Sequence, residues 1–214
     1  SKVYYINNGV DLELFDYNKE HFRVDDPDLD DPDTFKVVYA GSVRLANHVG
    51  LIVDAAKKVK DPRIRFLIWG AGDEVEPLRR RVIDENITNV VIKGRADKAE
   101  IPYITSRADA TIMHPASSRV LRFGVSYNKM FEALAAGRPI ISPFSCKYNP
   151  ATQRNAGVSC KDGDAADIAA SVEKIASLPP EEYRALCVNA RKGAEDYDFR
   201  VLTQKLLNVI GEIE

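Results

Sequence analysis

Short apolar runs alternate with helical patterns along most of this chain, and that alternation narrows its fold more than any other feature. The runs at 35–40, 64–69, 90–92, 110–113 and 139–141 read as buried parallel strands, with a further short one at 157–159. Between them, Val49, Ile52, Ala55, Ala56 and Val59 recur at helical spacing, as do Val75, Leu78, Val82 and Ile83. Repeated strand–helix units of this size imply an α/β fold, a Rossmann-like doubly wound parallel sheet. Ligands of such sheets sit at the carboxyl ends of the strands. The C-terminal third reads as helical: one helix over 167–177 stopped by Pro179-Pro180, a second from near Glu181, and a last over about 199–213.

A length of 214 residues, 45% of them hydrophobic, suits one domain spanning 1–214 with a full core. The formal charge of −2 and scattered basic residues argue against nucleic acid or an anionic membrane as a partner. Residues 1–6 read as a strand entered mid-protein rather than a signal peptide. No apolar run approaches the ~20 residues that span a bilayer. Cys146, Cys160 and Cys187 are odd in number and lack metal-ligand spacing, which points to a reducing compartment and ordinary packing.

The acidic segment 25–33, with Pro27 and Pro32, lacks the glycine and terminal glutamate of a calcium loop. It is expected to be a solvated, mobile loop. Asn7-Asn8-Gly9-Val10-Asp11 is strong turn chemistry after the expected first strand, with or without a ligand.

Several loops follow strands in the position where this sheet type binds ligands. Gly41-Ser42-Val43-Arg44 follows the first long strand, and Gly41 lets a ligand approach closely. Arg44 and His48 are candidates to reach a diphosphate. Arg44 is the better one, being always charged and bidentate, with plain surface roles as the alternative for both. Gly70-Ala71-Gly72 reads as a structural turn with Asp73 as helix N-cap, with lining of a base pocket as the alternative, and it lacks the full dinucleotide fingerprint. Gly94 and Arg95 end a strand where backbone groups can meet a base edge. His114 opens a polar, basic loop in which Arg119 and Arg122 are candidates for phosphate, against a plain surface loop.

The stretch from Gly124 to Ser142 carries the most chemistry. Gly124, Val125, Ser126, Tyr127 and Asn128 form a loop that feeds a short helix. A helix N-terminus has amides without intrahelical partners and binds anions. Lys129 beside it adds a point charge. Glu132 lies about one turn further on, among Met130, Phe131, Ala133 and Leu134, and an unpaired carboxylate there would be costly unless it served a ligand. A phosphate at the helix end and sugar hydroxyls at the carboxylate would suit a nucleoside diphosphate-sugar.

In this order, Asn-Gly-Val-Asp, the strand before Gly41-Ser42-Val43, Trp69-Gly70-Ala71-Gly72, Val91-Ile92-Lys93-Gly94 and the run from Phe131 to Ile141 resemble a known family. It is the C-terminal, donor-binding half of retaining glycosyltransferases of the GT-B fold. The similarity is nearest to the group 1, family-four type that builds capsular and O-antigen polysaccharides. The resemblance implies that Glu132 binds ribose hydroxyls and that Gly41 and Ser42 lie near the diphosphate. It implies that Val125 to Lys129 meet phosphate and sugar through backbone amides, and that Gly94 and Arg95 sit by the base. Two departures stand out: the family's second glutamate, eight residues earlier, is Gly124 here, and the lysine expected after the first glycine loop is missing.

The expectation is therefore the donor half of a hexosyltransferase. It would move sugar from a nucleoside diphosphate-sugar to a glycan or lipid-linked acceptor with retention, without cofactor or metal. The N-terminal acceptor-binding domain is absent from the chain, so the fragment is expected to be inactive alone. The expected location is cytoplasmic, at the inner face of the membrane through the absent domain. A sugar-nucleotide epimerase of the same fold and a non-catalytic nucleotide-sugar binding module are the alternatives.

Overall fold

Six strands form a single all-parallel sheet in the order β3-β2-β1-β4-β5-β6, in a computed structural model that describes residues 3–115, 121 and 123–212. In chain order the elements are α1 (Leu12–His21), α2 (Pro27–Asp30), β1 (Phe35–Ala40), a 3-10 turn (Leu45–Asn47), α3 (Gly50–Ala56), β2 (Ile64–Trp69), α4 (Val75–Asp84), β3 (Val90–Gly94), α5 (Ile101–Arg107) and β4 (Ala110–Ile112). Then follow α6 (Asn128–Ala135), β5 (Ile140–Ser142), α7 (Pro150–Gln153), β6 (Gly157–Ser159), α8 (Ala165–Ala176), α9 (Pro180–Glu195) and α10 (Phe199–Gly211). This is the doubly wound α/β sheet with a helical C-terminal third that the alternation predicts.

The inner strands β1, β4 and β5 and the neighbouring β2 are buried on both faces, as parallel strands under crossover helices are, while the edge strands β3 and β6 are partly exposed. Alternate residues of β1 and β2 serve different cores. Val37, Tyr39, Phe66 and Ile68 pack with Ile52 and Val53 of α3, Leu78 of α4, and Ile168 and Val172 of α8. Val38, Leu67 and Trp69 pack the other way, onto Ile104 of α5. Further along that face, Met130, Phe131 and Leu134 of α6 meet Ala190 and Ala194 of α9. Strand order reverses between β1 and β4, which pair at Val37↔Ala110 and Val38↔Thr111. The crevice above that pair is the topological switch point where such sheets bind ligands.

The C-terminal helices start at built caps: Asp164 accepts from the amides of Ala166 and Asp167, and Asp198 from that of Arg200. Pro179 and Pro180 open α9 directly after α8.

Three expectations are corrected. Residues 3–9 form no strand, and Val3 is 92% exposed. The first ordered contact is a bridge between Val10 and the start of α10, with Val10 N donating to Tyr197 O at 2.9 Å and Phe199 N to Val10 O at 3.0 Å. The Asn-Gly turn therefore leads into a helix, α1, which Asp11 caps through the Leu14 amide. The acidic run is not a free loop. Asp26 caps α2, Lys93 Nζ pairs with Asp26 at 2.7 Å and Asp28 at 2.5 Å, and Leu29 is fully buried. Asp73 does not cap α4, whose N-cap is Glu74, without a side-chain cap bond.

Candidate functional site

The crevice is built from two loops at the switch point. From β1, Gly41 N donates to Trp69 O at 3.0 Å, which seats the turn against β2. The turn is held again by Val43 N donating to Ala71 O and by Glu74 N donating to Val43 O, so Gly70-Ala71-Gly72 braces the Gly41 loop. From the other side, α6 brings Lys129 beneath Gly41. Its Nζ lies over the Tyr39 ring, 4.8 Å from the centroid, and donates to Tyr39 Oη at 3.3 Å. Tyr39 Oη in turn donates to Ser42 O at 2.7 Å. A Cβ at residue 41 would collide with that ammonium, so glycine is needed there for the close approach.

The start of α6 is left open. Its N-cap, Tyr127, makes no side-chain cap bond, and the first turn holds no acidic residue. The free amides and the helix dipole favour an anion. The loop ahead of it is pinned elsewhere. Gly124 N donates to Leu121 O and Val125 N to Tyr148 O, so these two amides are used within the fold. Met130 N already donates to Tyr127 O at 2.9 Å, which leaves the amides of Ser126 to Lys129 to meet a ligand. Asn8 N donates to Ser126 Oγ at 3.0 Å, and Asn8 Nδ2 donates to Asn128 Oδ1. The Asn-Gly motif thus props the α6 entrance from behind, a link that no local pattern in the sequence announces.

Glu132 follows one turn after Lys129 and is only part-exposed. Among the described residues no side-chain hydrogen bond or ion pair holds its carboxylate. Burial raises its pKa, while Lys98 and Lys129 pull the other way. Lys98, two residues beyond Ala96 and exposed, is thus near enough to act on the carboxylate, although the sequence did not mark it. Burial also lowers the Lys129 pKa to about 8, partly offset by Glu132. The pair is a cation and a carboxylate, each short of polar partners, on one face of one helix.

The remaining predicted residues divide by place. Ser42 and Arg95 are exposed, at the rims of β1 and β3. Gly94 is buried, and its carbonyl accepts from Gly70 N at 2.6 Å. Arg44 lines a cleft of about 700 Å³ with His48, Pro115, Phe144 and Lys161. Arg119 and Arg122 lie outside the described residues. His114, read from sequence only as the first residue of a polar loop, is instead buried against Tyr127, with ring centroids 4.6 Å apart. Burial, then Lys129, then His48 push its pKa down to about 4.

Among the described residues no group of three His, Cys, Asp or Glu side chains is arranged to hold a metal ion, and no helix is long and apolar enough to cross a membrane. The three cysteines are free thiols, and burial raises the pKa of each, that of Cys160 to about 11.

The family model for glycosyl transferases group 1 matches residues 24–193, which include the whole crevice. The chain belongs to the group 1 glycosyl transferases. It is 30% identical over 145 residues to the putative teichuronic acid biosynthesis glycosyltransferase TuaH of Bacillus subtilis, a match covering 65% of this chain and 34% of the relative. Solved structures share its fold, among them the following two. Anabaena Alr3699/HepE, in complex with UDP and glucose, superposes with a TM-score of 0.71 at 16% identity, over 97% of this chain and 56% of that one. A glycosyltransferase from Rickettsia africae ESF-5 gives 0.72 at 15% identity, over 97% and 56%. This group 1 chain thus spans about a third of the curated relative and just over half of each solved structure.

Proposed function

We propose that this chain is the donor-binding half of a retaining glycosyltransferase that takes a hexosyl group from a nucleoside diphosphate-sugar and passes it to a glycan or lipid-linked acceptor. One observation carries the reading: the Lys129 ammonium lies beneath Gly41, with the unpaired Glu132 carboxylate one turn further along α6. A diphosphate at the switch point would meet the ammonium and the open amides of α6. A ribose would then lie over Glu132, whose carboxylate accepts from its hydroxyls. Family membership agrees, as does the UDP held by the structurally similar Anabaena protein.

The position of Lys129 also answers a departure noted in the sequence. The lysine expected after the first glycine loop is absent, yet an ammonium arrives at that loop from α6. The proposed chemistry is positioning plus stabilisation of the departing diphosphate by amides and a cation, with no metal required. Catalysis on this account needs a second domain to bring the acceptor, so the chain alone binds donor without turnover.

Calorimetry with UDP, GDP and the bare nucleosides, paired with a sugar-transfer assay, tests the proposal. Binding of a nucleoside diphosphate without transfer is the expected result. Robust transfer by this chain alone would overturn the need for a second domain, and no binding of either diphosphate would overturn the donor role.

A further inference from the structure

His114 is buried in a place where a plain apolar residue would pack at lower cost. The chain leaves β4 at Ile112, and two residues later the imidazole is buried, 9% exposed, with its ring against Tyr127, the N-cap of α6. Among the described residues, the charged or titratable groups that act on it or touch it are Lys129, His48 and Tyr127 itself. Its Nδ1 is shielded from solvent and has no hydrogen-bond partner among the described residues. A buried polar atom without a partner costs stability, and an orphaned N–H donor is rarer in native proteins than an under-satisfied acceptor. The tautomer that fits is the one with a bare Nδ1 in the sealed position and the proton on Nε2. Nε2 is then the ring nitrogen left to face a ligand.

We propose that His114 is a further ligand-contacting residue of the crevice, a neutral imidazole whose Nε2–H donates a hydrogen bond to an oxygen of the bound diphosphate. This rests on the donor-site reading above. The surroundings favour a neutral donor there. Lys129 and the amides of α6 already supply positive potential, and a second full charge beside Lys129 would be repelled. With the ring neutral at pH 7, His114 acts as a hydrogen-bond donor and not as a proton-transfer group. It adds directional contact at the phosphate end of the ligand, while Glu132 serves the ribose end.

The test uses the whole chain and calorimetry with UDP and uridine, or GDP and guanosine where UDP does not bind. Diphosphate binding by the unaltered chain is the first measurement, and its failure would end the donor-site reading before His114 is at issue. His114→Phe keeps a ring on Tyr127 but removes the donor. His114→Gln keeps an N–H near the place of Nε2. The expected result is a loss of about tenfold in diphosphate affinity for the Phe variant, little change for the nucleoside, and recovery to within about threefold for the Gln variant. Unchanged diphosphate affinity in the Phe variant would overturn the proposal, as would equal losses for diphosphate and nucleoside. An independent readout needs no variant: the imidazole ¹⁵N shifts of the unaltered chain should report the Nε2–H tautomer at pH 7, and the Nδ1–H tautomer would contradict the argument.

Discussion

The ammonium of Lys129 occupies the space that a side chain at residue 41 would fill. Nζ rests on the Tyr39 ring beneath the Gly41 turn, and a Cβ there would also stand 3.2 Å from Lys129 Cε and 3.2 Å from Tyr39 Oη. Two loops far apart in sequence are therefore matched, one by having no side chain and the other by having a long one.

Gly41→Ala should separate folding from binding. The atom in the way is the tip of a flexible side chain, so the protein can fold by moving it. The displaced ammonium no longer faces the crevice. The expected outcome is a small fall in melting temperature with a loss of about tenfold or more in diphosphate affinity by calorimetry. A normal affinity would show that the ammonium has no part in binding.

Lys129 gives the site a pH signature. Its pKa falls from an ordinary 10.5 to about 8 on folding, chiefly through burial. Between those values the unfolded chain binds more protons, so stability rises with pH across about 8 to 10.5. Lys129→Met should remove that rise and raise stability at pH 7 by on the order of 1–3 kcal/mol. Diphosphate affinity should move the opposite way in the unaltered chain and fall as pH climbs through about 8. Thermal melts and calorimetry between pH 6.5 and 9.5 check both trends. A flat affinity profile would exclude Lys129 as the phosphate partner.

Glu132→Gln should weaken nucleotide binding by about 10- to 100-fold, the range for a hydrogen bond to a charged group. Burial raises the folded-state pKa of Glu132. The folded chain then holds its proton to higher pH than the unfolded chain, so stability is lost as pH rises through that folded value. Removing the charge should thus leave the melting temperature at pH 7 unchanged or higher. A variant that melts much earlier but binds normally would make Glu132 a structural residue.

How much of this was legible in the sequence follows from how local each signal is. β1 and β2 match their predicted runs residue for residue, because a strand buried on both faces is near-continuously apolar, broken here only by Lys36 and Arg65 near the strand starts. The stop of α8 and the start of α9 were readable at Pro179-Pro180, whose chemistry is local, and α10 begins at Phe199 as expected, whereas α8 begins two residues earlier than read, behind the cap Asp164. Helix α1 escaped notice because Phe15 is the only one of its residues that is buried, too thin a stripe to show a period. The open start of α6 and Glu132 were visible as a motif. The meeting of Lys129 with Gly41, the burial of His114 and the bracing by Asn8 were not, since each joins segments whose contact only the sheet order decides.

The acidic segment offers a separate check on that lesson. Charge density alone reads as solvated loop, but Leu29 is sealed under α5. Leu29→Ala should destabilise the fold by about 2–5 kcal/mol. Asp33→Asn, at an exposed position, should change it by less than about 0.5 kcal/mol. Denaturant melts distinguish the two, and equal small effects would return the segment to a free loop.

The central claim is that a nucleoside diphosphate binds at the β1–β4 switch point. The most direct measurement is a ¹H–¹⁵N NMR titration of the chain with UDP and with GDP, following assigned backbone amides. The account predicts saturable shifts centred on Gly41, Ser42, Asn128, Lys129 and Glu132, weaker for the bare nucleoside. Shifts confined to the Arg44–Lys161 cleft, or none at millimolar ligand, would contradict it.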